Sequence, residues 1–182
     1  MNLSKPVIFA LLISAIFIAG HFAWYGETAF GLSPVLDGRE NIELAHAIAE
    51  HGLPHEPFYR APLYPTALAL LLKLGFSGPL LPWAARWLNA LAIFVSTICA
   101  GKLAMRLWAS ELASVLAAIL VGFNPVILFF ASDPYDILWA TAFLTAAMFV
   151  STKWLQEGGR RVDHVLWVSA LLGIGSLVRS HL

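Results

Sequence analysis

Long apolar segments recur along this sequence of 182 residues. The first runs from Val7 to Gly20 and is followed by an aromatic cluster at 22–25. An apolar stretch of about 20 residues can cross a hydrocarbon core of about 30 Å as a helix, and aromatic residues collect at membrane interfaces. We therefore predict a first membrane span from Pro6 to Tyr25. A cleaved signal peptide is the alternative, because Lys5 precedes the apolar stretch.

The composition agrees with a membrane protein. Hydrophobic residues make up 59% of the chain and charged residues only 12%, whereas soluble domains carry about 25% charged residues. This excludes a cytosolic enzyme and a disordered tail. The 11 Lys and Arg residues balance 11 Asp and Glu residues, so no basic field indicates binding to nucleic acid. The single cysteine, Cys99, excludes an intrachain disulfide and a cysteine-based zinc site.

Loop charges decide how the remaining apolar segments are arranged. These segments lie at about 61–76, 87–101, 112–131, 137–152 and 165–178. The segment 61–76 has about 16 residues, roughly 24 Å as a helix, which is short of a full crossing. If it lies on the outer surface, five basic residues join Lys5 on the cytoplasmic side, as the positive-inside rule requires. They are Lys102, Arg106, Lys153, Arg160 and Arg161.

The predicted fold is therefore an all-α integral membrane protein, a polytopic helical bundle. It forms a single transmembrane domain over 1–182 with five spans and a cytoplasmic N-terminus. Its first extracytoplasmic loop, 26–85, carries juxtamembrane helices. This topology brings loop 26–85, the turn 132–136 and the outer end of the fifth span to one membrane face.

Asp37 is the first candidate functional residue on that face. It belongs to the turn signals at 33–38 and stands at the junction with a predicted amphipathic helix from about Arg39 to His51. The apolar stripe of that helix consists of Ile42, Ala45, Ile48 and Ala49. Asp37 either caps this helix or directs its carboxylate into a cleft, and the residues alone leave both interpretations open.

Three arginines lie at the predicted outer surface. Arg60 stands where the loop re-enters the membrane, Arg86 begins the second span, and Arg179 lies near the end of the fifth. Arginines at that depth are costly and face a cavity or a partner; for Arg86, snorkelling towards lipid headgroups is the alternative. The guanidinium fork matches a phosphate, so the three arginines predict a site for a lipid-linked phosphate or pyrophosphate.

Asp133 and Asp136 flank Pro134 in the turn before the fourth span. They either cap that span, since acids suit a helix N-terminus, or contribute a second acid to the site. The histidines His46, His51 and His55 do not share one helix face. We therefore predict no cofactor, with a divalent metal ion left as the lesser alternative.

Several of these residues belong to motifs that resemble those of a known family. Residues 37–40 (Asp-Gly-Arg-Glu) and 57–65 (Pro-Phe-Tyr-Arg-Ala-Pro-Leu-Tyr-Pro) resemble the first outer loop of GT-C glycosyltransferases. The bacterial family 39/83 enzymes, which include aminoarabinose lipid A transferases and protein O-mannosyltransferases, are the most similar. Residues 86–89, 124–125, 136 and 173–179 continue the correspondence in chain order.

The resemblance implies a function and a site. It implies transfer of a sugar, with inversion, from a polyprenyl-phosphate donor to a hydroxyl acceptor (a lipid, glycan or protein) on the extracytoplasmic face of the bacterial inner membrane. Asp37 would be the catalytic base and Asp136 a supporting acid, while Arg60, Arg86 and Arg179 would bind the donor phosphate. Because no acidic doublet accompanies Asp37, Glu40 is an alternative base.

The chain also departs from the family. Asn41 stands where many relatives carry an aromatic residue. Family members have about eleven or more spans, so we expect an N-terminal fragment of a longer transferase, whose activity by itself stays open.

Two other classes of function compete with the transferase. One is a transporter or flippase-like protein in which the arginines escort an anionic lipid without chemistry. The other is a membrane scaffold, since the small residues at 109–118 and 173–175 suit helix packing.

Overall fold

The computed structural model describes residues 5–53 and 60–179, and all regular structure in those residues is helical. The helices are α1 (Lys5–Gly26), α2 (Ala29–Leu32), α3 (Leu36–His51), α4 (Leu63–Lys73), α5 (Leu80–Trp108), α6 (Glu111–Gly122), α7 (Pro125–Ala131), α8 (Ile137–Gln156) and α9 (Val162–Val178).

Three of these helices are long and apolar enough to cross a membrane: α1 from Val7, α5 and α8. Helices α6 and α7 pass the same test only together, as a broken span bent by 44°. The described residues therefore provide three or four candidate spans. The fifth span predicted from the sequence corresponds to α9, which has 17 residues and is a shorter apolar helix.

The break between α6 and α7 has a local cause. Pro125 has no backbone N–H to donate, and the Asn124 side-chain oxygen accepts hydrogen bonds from Val126 N at 2.9 Å and Ile127 N at 3.3 Å. Asn124 is therefore the N-cap of a new helix, as Asn often is. The segment 112–131, predicted as a single span, is divided at this point.

Helices α3 and α4 pack against each other beside α5. Their shared core contains Ala45, Ile48, Tyr64, Leu68, Ala69 and Ala85. The predicted stripe of α3 is confirmed, because Ala45 and Ile48 are buried while Ile42 and Ala49 are half-buried. Helix α4, at 11 residues, is shorter than the predicted segment 61–76.

The start of α5 differs from the sequence prediction, which placed the second apolar segment at 87–101. The helix already begins at Leu80, with Pro79 as its N-cap and Pro82 in the first turn. Prolines are compatible with these positions because the N–H groups of a first turn have no helical partner. Pro79 and Pro82, which follow the break after α4, therefore lie at the start of α5.

Polar contacts distinguish the two ends of the bundle. At one end, which we call the site end, Arg86 contacts Gly31 and Ser132, and Arg179 contacts Asp136. At the opposite end, Arg106 of α5 and Gln156 of α8 exchange two hydrogen bonds.

Candidate functional site

The centre of the candidate site is an ion-pair network around Arg60. Its guanidinium donates to Asp37 Oδ1 at 2.8 Å and, through Nε, to Glu40 Oε2 at 2.7 Å. The Arg60 side chain is 19% exposed, whereas those of Asp37 and Glu40 are 46% and 52% exposed. The hydrogen bond that Arg60 donates to Asp37, together with the one to Glu40, raises the pKa of Arg60 against the effect of its burial. A basic group and two carboxylates thus share one half-open position.

The fold explains how these three side chains meet. Asp37 and Glu40 are three residues apart on α3 and therefore lie on neighbouring helix positions. Arg60 lies just before α4, which packs against α3. Residues 57–59 of the family-like motif, between these elements, lie outside the described residues, as does His55.

The start of α3 rules out one interpretation of Asp37. Val35 is the N-cap and makes no side-chain capping bond, so of the two alternatives for Asp37 the capping one is wrong. Asp37 lies instead in the first turn of α3. The residue before it, Leu36, has a φ of 50°, which is uncommon for a bulky side chain and costs conformational energy.

A second ion pair lies next to the first. Arg179 Nη1 is 3.4 Å from Asp136 Oδ1, and the Asp136 side chain is 11% exposed. Burial raises the pKa of Asp136, and the charge of Arg179 acts against this rise. Arg60 and Asp37 are also close enough to act on the Asp136 carboxyl. The structure therefore brings together Asp37, Glu40, Arg60, Asp136 and Arg179 from four separate parts of the chain.

The backbone of the turn 132–136, which carries Asp136, accepts three hydrogen bonds from side chains. Arg86 Nε donates to the carbonyl of Ser132, Asn89 Nδ2 to that of Asp133 and Asn41 Nδ2 to that of Pro134, each at 2.8 Å. All three donor residues are buried. The Asp133 carbonyl also accepts from the N–H of Tyr135 at 2.7 Å, so side chains and backbone together satisfy three consecutive carbonyls.

Arg86 lies apart from the half-open position. The residue is fully buried, its Nη2 donates to the Gly31 carbonyl, and its guanidinium lies 5.5 Å from the Tyr25 ring centroid and 5.1 Å from that of Trp83. This burial rules out snorkelling towards headgroups. The contact with donor phosphate predicted for Arg86 stays a prediction, and the contacts present hold α2 and the turn 132–136.

Asp133 and Asp136 lie in different surroundings. Asp133 Oδ2 accepts a hydrogen bond from the Tyr25 hydroxyl at 3.2 Å, while its Oδ1 is buried without a partner. Burial raises the pKa of Asp133, with the Tyr25 hydrogen bond and the Arg86 charge acting against the rise. Asp136 occupies the cap position of α8 but makes no capping bond. Asp133 therefore belongs to the interior, and Asp136 to the site.

Sequence reasoning assigned no role to several polar residues around the turn. They are His21, Tyr25, Asn41, Tyr64 and Asn89. The Nε2 of His21 lies 2.8 Å from Ser132 Oγ, and the Tyr64 hydroxyl donates to Asn89 Oδ1 at 3.1 Å. In the sequence, Asn41 and Asn89 could have been identified as amides that lie on otherwise apolar helix faces. A buried amide needs a partner and so indicates a nearby polar backbone.

The described residues contain no group of three or more His, Cys, Asp and Glu side chains that could hold a metal ion. Of the histidines that suggested a divalent ion, His46 and His51 are exposed on α3. Because His55 lies outside the described residues, that alternative is tested only in part.

The fold and the site define a class of protein: an all-helical protein with helices that could span a membrane, and with carboxylates and arginines gathered at one end of the bundle. A scan against protein-family models gave no match, and searches of curated proteins and of solved structures gave none either. The likeness to GT-C glycosyltransferases therefore rests on the residues of this sequence.

Proposed function

We propose that this protein is, or forms the N-terminal part of, a membrane glycosyltransferase of the GT-C type. It transfers a sugar from a polyprenyl-phosphate donor to a hydroxyl acceptor, with inversion at the sugar carbon. It works at the extracytoplasmic face of a bacterial inner membrane, with five spans and a cytoplasmic N-terminus. The proposal needs no cofactor.

The observation that carries the proposal is the meeting of Asp37, Arg60, Asp136 and Arg179 at one end of the bundle. Sugar transfer from a phosphate needs a base for the acceptor hydroxyl and cations for the leaving phosphate. A carboxylate base and arginine cations are both present here, and the side chains of Asp37 and Arg60 are partly exposed. Arginine is suited to the phosphate because its fork can donate two hydrogen bonds at once.

In the proposed reaction, Asp37 accepts the proton of the acceptor hydroxyl while that oxygen attacks the anomeric carbon. The bond between this carbon and the phosphate oxygen breaks, and its electron pair stays on the phosphate. Arg60 and Arg179 stabilise the negative charge that develops there. The products are the glycoside and polyprenyl phosphate, and Asp37 later releases its proton to water.

Arg60 couples donor binding to the base in this proposal. Its guanidinium is hydrogen-bonded to both Asp37 and Glu40. A phosphate that binds Arg60 competes with these carboxylates for its donor groups. Asp37 then gains the freedom to accept a proton only when the donor is in place. Because Glu40 also contacts Arg60, it remains the alternative base.

Arg86 serves a different purpose here. A phosphate could reach its guanidinium only by entering the interior, since the residue has no exposed surface. We therefore assign the phosphate contacts to Arg60 and Arg179, and the support of the turn to Arg86.

The test is sugar transfer by the full-length protein in membrane vesicles. Synthetic polyprenyl phosphates carrying radiolabelled mannose, glucose or aminoarabinose serve as donors, and release of polyprenyl phosphate is measured. Asp37→Asn should lower transfer by about 10²- to 10⁴-fold, the usual contribution of a general base, and should still bind farnesyl phosphate. Arg60→Ala should lose that binding. The matched control is Glu43→Gln on the same helix, since Glu43 pairs with the exposed Arg39.

Full transfer by Asp37→Asn would move the base to Glu40 or reject the mechanism. A flippase would instead move labelled lipid phosphate across vesicles with no acceptor present. Charge placement favours the transferase, because the ionisable residues of the spans among residues 5–53 and 60–179 lie towards the ends of the bundle. A transport path would place such groups near the membrane midplane.

A further inference from the structure

Asn41 connects the two helical elements that carry the candidate acids. It lies one helical turn after Asp37 on α3, and its Nδ2 donates to the carbonyl of Pro134, two residues before Asp136. This hydrogen bond of 2.8 Å joins residues that are 93 positions apart in the chain. The other two side-chain donors to carbonyls of the turn, Arg86 and Asn89, both come from α5, while Tyr25 of α1 donates to the Asp133 side chain. Asn41 is thus the donor that links the turn to α3.

The surroundings of Asn41 show that it acts through the backbone of the turn. The residue is 1% exposed, so a substrate in the half-open site does not reach it. Its Oδ1 is buried and has no hydrogen-bond partner, which leaves the donor side of the amide as the side that is used. A buried donor aimed at one carbonyl fixes the distance between the two backbones.

We infer that Asn41 is a positioning residue, which fixes the turn 132–136, and with it Asp136, against the helix that carries Asp37. The inference rests on the proposed function for its catalytic consequence. Loss of the amide removes this hydrogen bond to α3, while the turn stays attached to α5 through Arg86 and Asn89. Asp136 and Arg179 then move relative to Asp37, while the contacts between Arg60 and α3 stay in place.

Asn41→Leu in the full chain, reconstituted in lipid nanodiscs, tests the inference. Leucine has a similar size, lacks the donor and also removes the unpartnered oxygen, so the variant is expected to fold. We expect amide hydrogen exchange in peptides covering 132–140 to become about tenfold faster, which corresponds to about 1.4 kcal/mol. Glu43→Gln is the matched control, because it changes an exposed residue on another side of α3.

Kinetics separate positioning from a general loss of structure. With the labelled polyprenyl-phosphate donors, Asn41→Leu should lower kcat about tenfold and leave the affinity for farnesyl phosphate within about twofold of wild type, since Arg60 keeps its place. An equal loss of kcat and affinity would overturn the inference, as would unchanged exchange in the turn. If wild type transfers no sugar while exchange accelerates as expected, the proposed function fails and the fixing of the turn to α3 stands.

Discussion

The two ends of the bundle use polar residues in different ways. At the site end, buried side chains reach distant parts of the chain: Asn41 bonds Pro134 across 93 residues and Arg86 bonds Ser132 across 46. At the opposite end, Arg161 pairs with Glu157 at 3.8 Å and Asp163 at 3.7 Å, close in sequence and largely exposed. Arg106 and Gln156 span 50 residues there, but Arg106 is only half-buried and Gln156 is exposed.

This difference indicates where polar residues determine the tertiary structure. A buried polar group must find its partner or lose free energy, so it specifies one arrangement of the backbone. Exposed pairs exchange readily with water and ions and contribute little. The site end is therefore defined by its hydrogen bonds, and the opposite end mainly by apolar packing and the helix connections.

The largest effect is expected for Arg86→Met, which tests the contrast between the two ends of the bundle. The substitution leaves the carbonyls of Gly31 and Ser132 without their donor and Asp133 without its nearby cation. We expect a loss of about 3 kcal/mol in the free energy of unfolding, measured by denaturant titration in nanodiscs or detergent. Arg106→Met in the same helix should lose less than about 1 kcal/mol. Equal losses for the two variants would contradict the distinction between the ends.

A smaller effect concerns pH. The pKa values of Asp133 and Asp136 are raised by burial above the ordinary 3.8. Above that ordinary value the unfolded chain releases these protons while the folded protein keeps them, so the folded state binds more protons. The free energy of unfolding should therefore fall as pH rises from 3.8 to the raised pKa values.

Asp136→Asn should remove the contribution of Asp136 and leave that of Asp133. The free energy of unfolding should then fall less steeply as pH rises. The measurement is the free energy of unfolding as a function of pH for the variant and wild type. Asp163→Asn is the control, since its side chain at the opposite end is 57% exposed. If Asp136→Asn leaves the slope unchanged, burial does not raise the pKa of Asp136.

The smallest effect is expected for Arg161→Ala. Its two ion pairs are long, and its side chain is 59% exposed. We expect the free energy of unfolding to change by no more than about 0.5 kcal/mol. A loss comparable to that of Arg86→Met would mean that the opposite end also depends on its polar contacts.

Hydropathy predicted where the chain is helical, but the bounds of several helices required local chemistry. Helix α5 begins before the apolar segment 87–101, because a first turn accepts Pro79 and Pro82. The bend at Asn124 was also missed. The apolar pattern continues through 112–131, while the missing N–H of Pro125 interrupts the hydrogen bonding.

The candidate site was predictable in its residues and less so in its geometry. Charge at the predicted outer surface identified Asp37, Arg60, Asp136 and Arg179. Spacing along the chain could not show that Arg60 pairs with Asp37 and Glu40, because the packing of α4 on α3 determines this contact. The depth of Arg86 depends in the same way on tertiary structure, since its partners lie 46 and 55 residues away.

Helix α3 also approaches the turn closely at a glycine. Gly38 is buried beside the turn, and a β-carbon there would lie 3.2 Å from Pro134 Cδ and 3.6 Å from Asp133 Cβ. The first of these distances is tighter than an ordinary van der Waals contact, so an alanine at position 38 would require a shift of the helix or of the proline. Residue 38 is thus a position at which a single added carbon atom would change the spacing between the two parts of the chain that carry Asp37 and Asp136.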